Sequence, residues 1–276
     1  MASDLVKTLG GLRLDGRRPL ELRKIGVKMG VFGQADGSAY LEQGKTKILA
    51  AVYGPHQTRG SAARSTVNKS TKGLVNCQYS MAVFSLSSGE RKKRPRGDRK
   101  TQERSIQLRH AMEAILNLEN FPRSQIDIFV EVLQVDGSDY CAAINAATLA
   151  LIDAGIPIKD YAIGCTVTLP DASQSYDQSE VPGIGVLDAN NLEENGPGTT
   201  LSVVALPETK NEASTEAGLI IVAQASGQRL DISKMEGMKI RALHGCQNIK
   251  TILDKMVRQH LTTNSLPSLF DVQTLE

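Results

Sequence analysis

The residues IDIFVEVLQ (126–134), VDGSDY (135–140) and CAAINAATLALIDA (141–154) follow one another without a break. In the first, Ile126, Ile128, Val130 and Val132 alternate with other residues, the period of a strand with one face buried. In the third, almost every position is apolar or small, so no polar face is left for water. Such a helix belongs inside a core, and Gly155 and Pro157 close it. Between them Gly137-Ser138 forms a turn flanked by Asp136 and Asp139. The segment therefore predicts a strand leading through a tight turn into a buried helix, the mark of a layered α/β fold.

The same reading extends in both directions. Upstream, residues 25–31, 37–42 and 47–53 read as strands of a meander, and residues 75–84 as a fourth. Leu108, Met112, Ile115 and Leu116 then recur at helical spacing, and Pro122 ends that helix. Downstream, residues 163–169, 183–188, 201–206 and 218–224 read as strands, and residues 232–261 as a long helix. Strands followed by a helix occur twice, which suggests an internal duplication. The expected division is 1–158 and 159–276, hinged near Lys159 and packed as one unit, with loops at 170–182 and 207–218.

Composition excludes several functions. The chain has 276 residues, 41% of them hydrophobic, and a formal net charge of only +2. Nucleic-acid contact would have to come from local clusters rather than a generally basic surface. Aromatic residues make up 4% and Trp is absent, which argues against modules that stack bases on aromatic platforms. Cys77, Cys141, Cys165 and Cys246 are too scattered for zinc and suit buried thiols in a reducing compartment. The sequence has neither a signal-type apolar segment at its start nor a run of 18 apolar residues, so a soluble intracellular protein is expected. The four histidines form no triad signature, and no P-loop or GxGxxG fingerprint is present.

The densest local signal lies between Glu90 and Arg104, where eight basic residues face three acids. Pro95 and Gly97 keep its first part out of a helix. A weaker cluster comprises Arg59, Arg64, Lys69 and Lys72. Such clusters are either solvated or nuclear-import surface, or contacts to a phosphodiester backbone. Asp188, Glu193 and Glu194 form an acidic edge after an apolar strand, suited to Mg²⁺ or general-acid work, or simply to solvation. The Gly137-Ser138 turn, at a helix N-terminus, is either an anion site or an ordinary cap made by Ser138 or Asp139.

Several strings carry a resemblance when taken in order: LDGRR (14–18), ELR (21–23), ADGSA (35–39), EQGKTK (42–47), YGP (53–55), PRSQID (122–127) and NAATLALIDAGIP (145–157). Together they resemble the RNase PH family, and within it the eukaryotic exosome core subunits, over nearly the whole chain. The resemblance implies an α/β (α+β) RNase PH fold of two pseudo-repeated halves, each like domain 2 of ribosomal protein S5. It implies a six-subunit ring around a channel for single-stranded RNA. Its other members would be RNase PH-like subunits (a 45-type chain as direct partner), S1/KH cap subunits and an associated hydrolytic nuclease. A nuclear, nucleolar and cytoplasmic location follows, with no membrane partner and no cofactor.

Active relatives cleave RNA with phosphate, using an Arg on phosphate and an acidic pair for the acid and Mg²⁺ roles. Carried over by position, Tyr140 stands where the phosphate Arg belongs. Glu194 takes the first acidic position and uncharged Thr200 the second. A phenol cannot replace a guanidinium on a phosphate dianion, and Asp139 beside it is expected to repel the anion. One lost transition-state partner costs about 2.7–4 kcal/mol, so the resemblance implies a degenerate site with no catalytic residue and no metal. The RNA-facing residues by the same match are Arg59, Arg64, Arg91, Lys92, Lys93, Arg94, Arg96, Arg99 and Lys100.

Overall fold

The structure is a computed structural model that describes residues 12–57, 72–86, 89–91, 97–170, 185–210 and 217–265. Nine strands form two sheets. In chain order they are β1 (Ile25–Met29), β2 (Gly37–Gln43), β3 (Thr46–Gln57), β4 (Leu74–Met81), β5 (Ser124–Gln134), β6 (Ile163–Pro170), β7 (Val186–Leu187), β8 (Gly198–Lys210) and β9 (Ala217–Gly227). The helices are α1 (Arg99–Ile115), α2 (Asp139–Asp153), the single turn α3 (Asn191–Glu194) and α4 (Ile232–Ser265). The first sheet runs β1-β2-β3-β5-β4 and the second β7-β6-β8-β9. Only the β4–β5 pair is parallel.

Helix α2 lies between the two sheets, which explains its lack of a polar face. From Asp139 to Leu151 every residue is buried. Small side chains let the layers close: a Cβ on Gly37 of β2 would stand 2.3 Å from the Ala150 carbonyl oxygen, and one on Gly164 of β6 would stand 2.7 Å from the Cys141 Cα. The polar groups that enter this layer are matched. Asn145 exchanges hydrogen bonds with the Gly164 backbone at 2.8 and 3.2 Å, and the Thr148 hydroxyl donates to the Ala162 carbonyl at 2.9 Å. Helix α1 covers β4, and α4 covers β6 and β8. Both sheets and three helices thus share one hydrophobic core.

The structure departs from the sequence reading in places. The strand expected over residues 75–84 stops at Met81, and Val83 and Phe84 sit exposed in a turn. The strand expected over 183–188 is only Val186–Leu187, because Asp188 turns the chain with φ +51°. The link near Lys159 is pinned rather than free: its N–H donates to the Ile115 carbonyl at 2.8 Å, and Leu116 bridges to Ile158. The four cysteines are buried free thiols. No helix among the described residues is long and apolar enough to cross a membrane.

Candidate RNA-facing site with altered catalytic positions

The site forms where β5 turns into α2 and meets the β7–α3 turn. Ser138 stands at the N-cap of α2 in the left-handed region, φ +55° and ψ +28°, and its side chain does not cap the helix. Its hydroxyl instead accepts from Thr166 on β6 at 2.6 Å. The Ser138 N–H points at α3 and donates to Glu194 Oε2 at 2.9 Å. The anion position expected at this turn is therefore filled by a carboxylate of the same chain.

The acidic edge is not solvated. Asp188 is 0% exposed. Its Oδ1 accepts from the Arg23 guanidinium at 2.7 Å and from Gln43 at 2.8 Å, and its Oδ2 accepts from the Arg23 backbone at 2.9 Å. Burial alone would raise its pKa; Arg23 outweighs burial and holds the carboxyl below its ordinary value. Arg23 spends its remaining donors on the Asp136 and Gly137 carbonyls, at 2.6 and 3.2 Å, and so clamps the turn before α2. Glu193 is buried against Arg13, which also binds the Leu187 and Asp188 carbonyls at 2.7 and 3.1 Å. These two pairs are architectural. A buried carboxylate needs its partner, so neither is free for chemistry.

Glu194 differs from both. Burial and the nearby Asp139 charge raise its pKa; the Ser138 N–H, Arg104 and Lys100 pull it down, and the net shift is upward. Thr200 lies on β8 with its hydroxyl 3.3 Å from that of Thr168. The pair does not suit Mg²⁺, whose sites in phosphoryl chemistry are built on carboxylates. One position holds no carboxylate, and the other's oxygen already takes an N–H. Among the described residues, no group of three His, Cys, Asp or Glu is placed to hold a metal ion.

Tyr140 is 4% exposed, and its hydroxyl is buried without a hydrogen-bond partner. Burial pushes the phenol well above its ordinary pKa, so it is neutral. Asp139 does not act as the bare repulsive charge expected from sequence. It forms a buried ion pair with Arg104 of α1, and the Tyr79 hydroxyl donates to its Oδ2 at 2.9 Å. Arg104 in turn donates to the Tyr79 oxygen at 3.0 Å and lies 5.5 Å from the centre of its ring. Burial works to raise the Asp139 carboxyl, yet Arg104 and Tyr79 prevail and its pKa falls. Sequence reasoning counted Arg104 only as one more basic residue. Its role requires Tyr79, sixty positions from Asp139, and only the inward-facing alternation of β4 hinted at that residue.

Of the basic residues, Arg91, Arg99 and Lys100 are exposed, and Arg99 begins α1. Lys100 is near enough to Glu194 to lower its pKa, which places the basic helix start beside the altered positions. Arg59, Arg64, Lys92, Lys93, Arg94 and Arg96 lie outside the described residues.

Two sheets around a shared buried helix, with a β5–α2 turn facing a β7–α3 acidic turn, define an RNase PH-type protein. The model of the 3′ exoribonuclease family, domain 1 (RNase PH) matches residues 21–157. The human protein named exosome complex component RRP41 is 45% identical over 256 residues, 93% of this chain and 94% of the relative. Exosome complex component Rrp41 of Thermococcus gammatolerans is 41% identical over 197 residues, 71% and 72% of the two chains. Rice Rrp46 superposes with a TM-score of 0.71 at 23% identity, covering 89% of this chain and all of that one. The Archaeoglobus fulgidus exosome with RNA bound to the active site gives 0.67 at 17%, covering 88% and 92%. The last two show likeness of fold. The chain belongs to the RNase PH family.

Proposed function

We propose that this chain is a non-catalytic RNase PH-like subunit of an RNA exosome ring, where it shapes the channel and guides single-stranded RNA 3′ ends to an associated nuclease. The observation that carries the reading is Tyr140: a buried neutral phenol stands where the family resemblance places the phosphate-binding Arg. The nearest guanidinium, Arg104, is already matched by Asp139. A phosphate dianion entering here would meet an occupied cation and the Glu194 carboxylate. Thr200 supplies no charge for a metal or an acid.

The surrounding features support an RNA-contact role. The exposed Arg99 and Lys100 lead into α1 beside this site, and a backbone-reading surface needs cations rather than aromatic platforms. The named relatives are exosome components, so the partners proposed are other RNase PH-like subunits, with a 45-type chain as neighbour, S1/KH caps and a hydrolytic nuclease. The proposed work is rRNA processing and mRNA decay in nucleus, nucleolus and cytoplasm. The halves 1–158 and 159–276 are proposed as the two duplicated units, each contributing one sheet.

The alternative is an active phosphate-dependent 3′–5′ exoribonuclease. Decay of a 5′-labelled, 3′-tailed RNA by this chain with its ring partner, in Mg²⁺ with and without phosphate, separates the two. The proposal expects no phosphate-dependent decay, and binding that weakens when Arg91 to Arg94 are neutralised. Nucleoside diphosphates appearing only with phosphate would establish the alternative.

A further inference from the structure

An open sheet has edges, and a protein must blunt each one or use it. Here the two sheets have four edge strands: β1, β4, β7 and β9. Strand β1 is five residues long, carries Lys28, and the N–H of the next residue, Gly30, is taken by the Ser38 carbonyl at 2.9 Å. Strand β4 is roofed by α1, whose Ser105 hydroxyl accepts the Tyr79 N–H at 3.0 Å. Strand β7 is two residues long. Strand β9 has no such device. It is eleven residues long, AGLIIVAQASG, without a charge or a proline, and among the described residues it pairs only with β8. A bulge at the Val204/Ala205 register shift leaves residues 222–227 as a regular run.

Both sides of this edge present apolar surface. Ala223 lies opposite Val203 and Cys165, on the side where Cys165 meets Gly245 of α4; Ala223 and Ala225 are exposed there. On the same helix Leu243 lies 3.2 Å from where a Cβ on Gly218 would stand, and Ile240, one turn before it, is 54% exposed. Residues three apart share a helix face, so Ile240 borders β9. On the other side Gln224 donates to Glu103 of α1 at 3.4 Å, and Ile106, three residues further, is 57% exposed. The unpaired strand thus lies between two bare isoleucines, with alanines too small to keep another strand away.

We propose that the free edge of β9, with Ile106 and Ile240 on either side, is a strand-addition surface that takes an uncharged extended strand of an adjacent RNase PH-like subunit; this rests on the ring reading above. The chemistry selects the occupant. Main-chain N–H and C=O groups in an extended row pair with another strand, and the lack of any cation on β9 gives a phosphodiester backbone nothing to hold. Ser226 of β9 lies opposite Thr200, so the docked strand would reach the altered catalytic positions and wall the RNA path there.

The test co-expresses the full chain with an RNase PH-like partner subunit and compares it with Ala223→Lys/Ala225→Lys. Both substitutions are on exposed side chains, so the variant is expected to keep the wild-type thermal transition. It is expected to run unassembled by mass photometry, while the wild type assembles. In the assembled wild type the amides of residues 222–227 should exchange at least about tenfold more slowly than in the free chain. A variant that assembles normally, or β9 amides that exchange equally in both states, overturns this inference and leaves the ring reading standing. A wild-type chain that assembles with no RNase PH-like subunit overturns both. Slowed β9 exchange in the chain alone at high concentration would make a second copy the occupant and overturn the choice of partner.

Discussion

Removing the Asp139 carboxylate tests how the altered site is held together. In Asp139→Ala the Arg104 guanidinium loses its buried counter-charge and the Tyr79 hydroxyl loses its acceptor. The pair is nearly closed to water, with side-chain exposures of 16% and 6%, so solvent cannot replace what is lost. Breaking a buried pair by deleting one partner costs about 3–5 kcal/mol. The low-exposure but not fully dry Arg104 places this case near the lower end, about 3 kcal/mol. Urea unfolding of the full chain, followed by far-UV circular dichroism, reads the change directly. The double variant Arg104→Met/Asp139→Ala should recover more than half of the loss, because it removes the stranded charge and fills the volume with an apolar side chain. A single variant costing less than about 1 kcal/mol, the range of exposed ion pairs, would refute the reasoning. So would a double variant no better than the single one.

Three further outcomes are expected. Tyr140→Phe deletes a buried hydroxyl that has no partner, so stability should hold or rise by up to about 1 kcal/mol in the same assay; a loss above that would reveal a hydrogen bond the geometry lacks. Glu194 has a raised pKa, so the folded state favours its protonated form, and the charge destabilises the fold once pH exceeds the ordinary carboxyl value. Glu194→Gln should therefore stabilise the chain at pH 7, with the gain shrinking as pH falls toward 4.5; a gain independent of pH would refute the charge account. Gly164→Ala forces a Cβ to within 2.7 Å of the Cys141 Cα and should cost about 2 kcal/mol or more from overpacking, measured as a lowered denaturation midpoint.

The elements with strong local periodicity were readable from sequence. The alternation of Ile126, Ile128, Val130 and Val132 and the polar-free run after Ser138 gave both the β5 strand and the buried α2 helix, because one or two buried faces leave a repeating signature. Boundaries set by long-range contacts were not. Strand β8 extends to Lys210 because β9 pairs with it there, and β7 stops early because Asp188 is drawn inward by Arg23. The positions of Tyr140, Glu194 and Thr200 were legible by resemblance alone. Their surroundings were not, since a carboxylate reads the same in sequence whether water or a distant arginine neutralises it. Asp188 and Glu193 became structural only through Arg23 and Arg13, more than 160 positions away.

The Asp139–Arg104–Tyr79 contact also constrains how the sequence can change. Placing an arginine at position 140 first would set two guanidinium groups beside one carboxylate. Replacing Asp139 first would strand Arg104 without a counter-charge. Each path back to a phosphate-gripping pocket begins with a loss of folding stability that no new activity offsets until the other steps follow. The contact therefore works as a ratchet: changes that keep the pair are open to drift, and those that would reverse it are filtered out before chemistry can be tested.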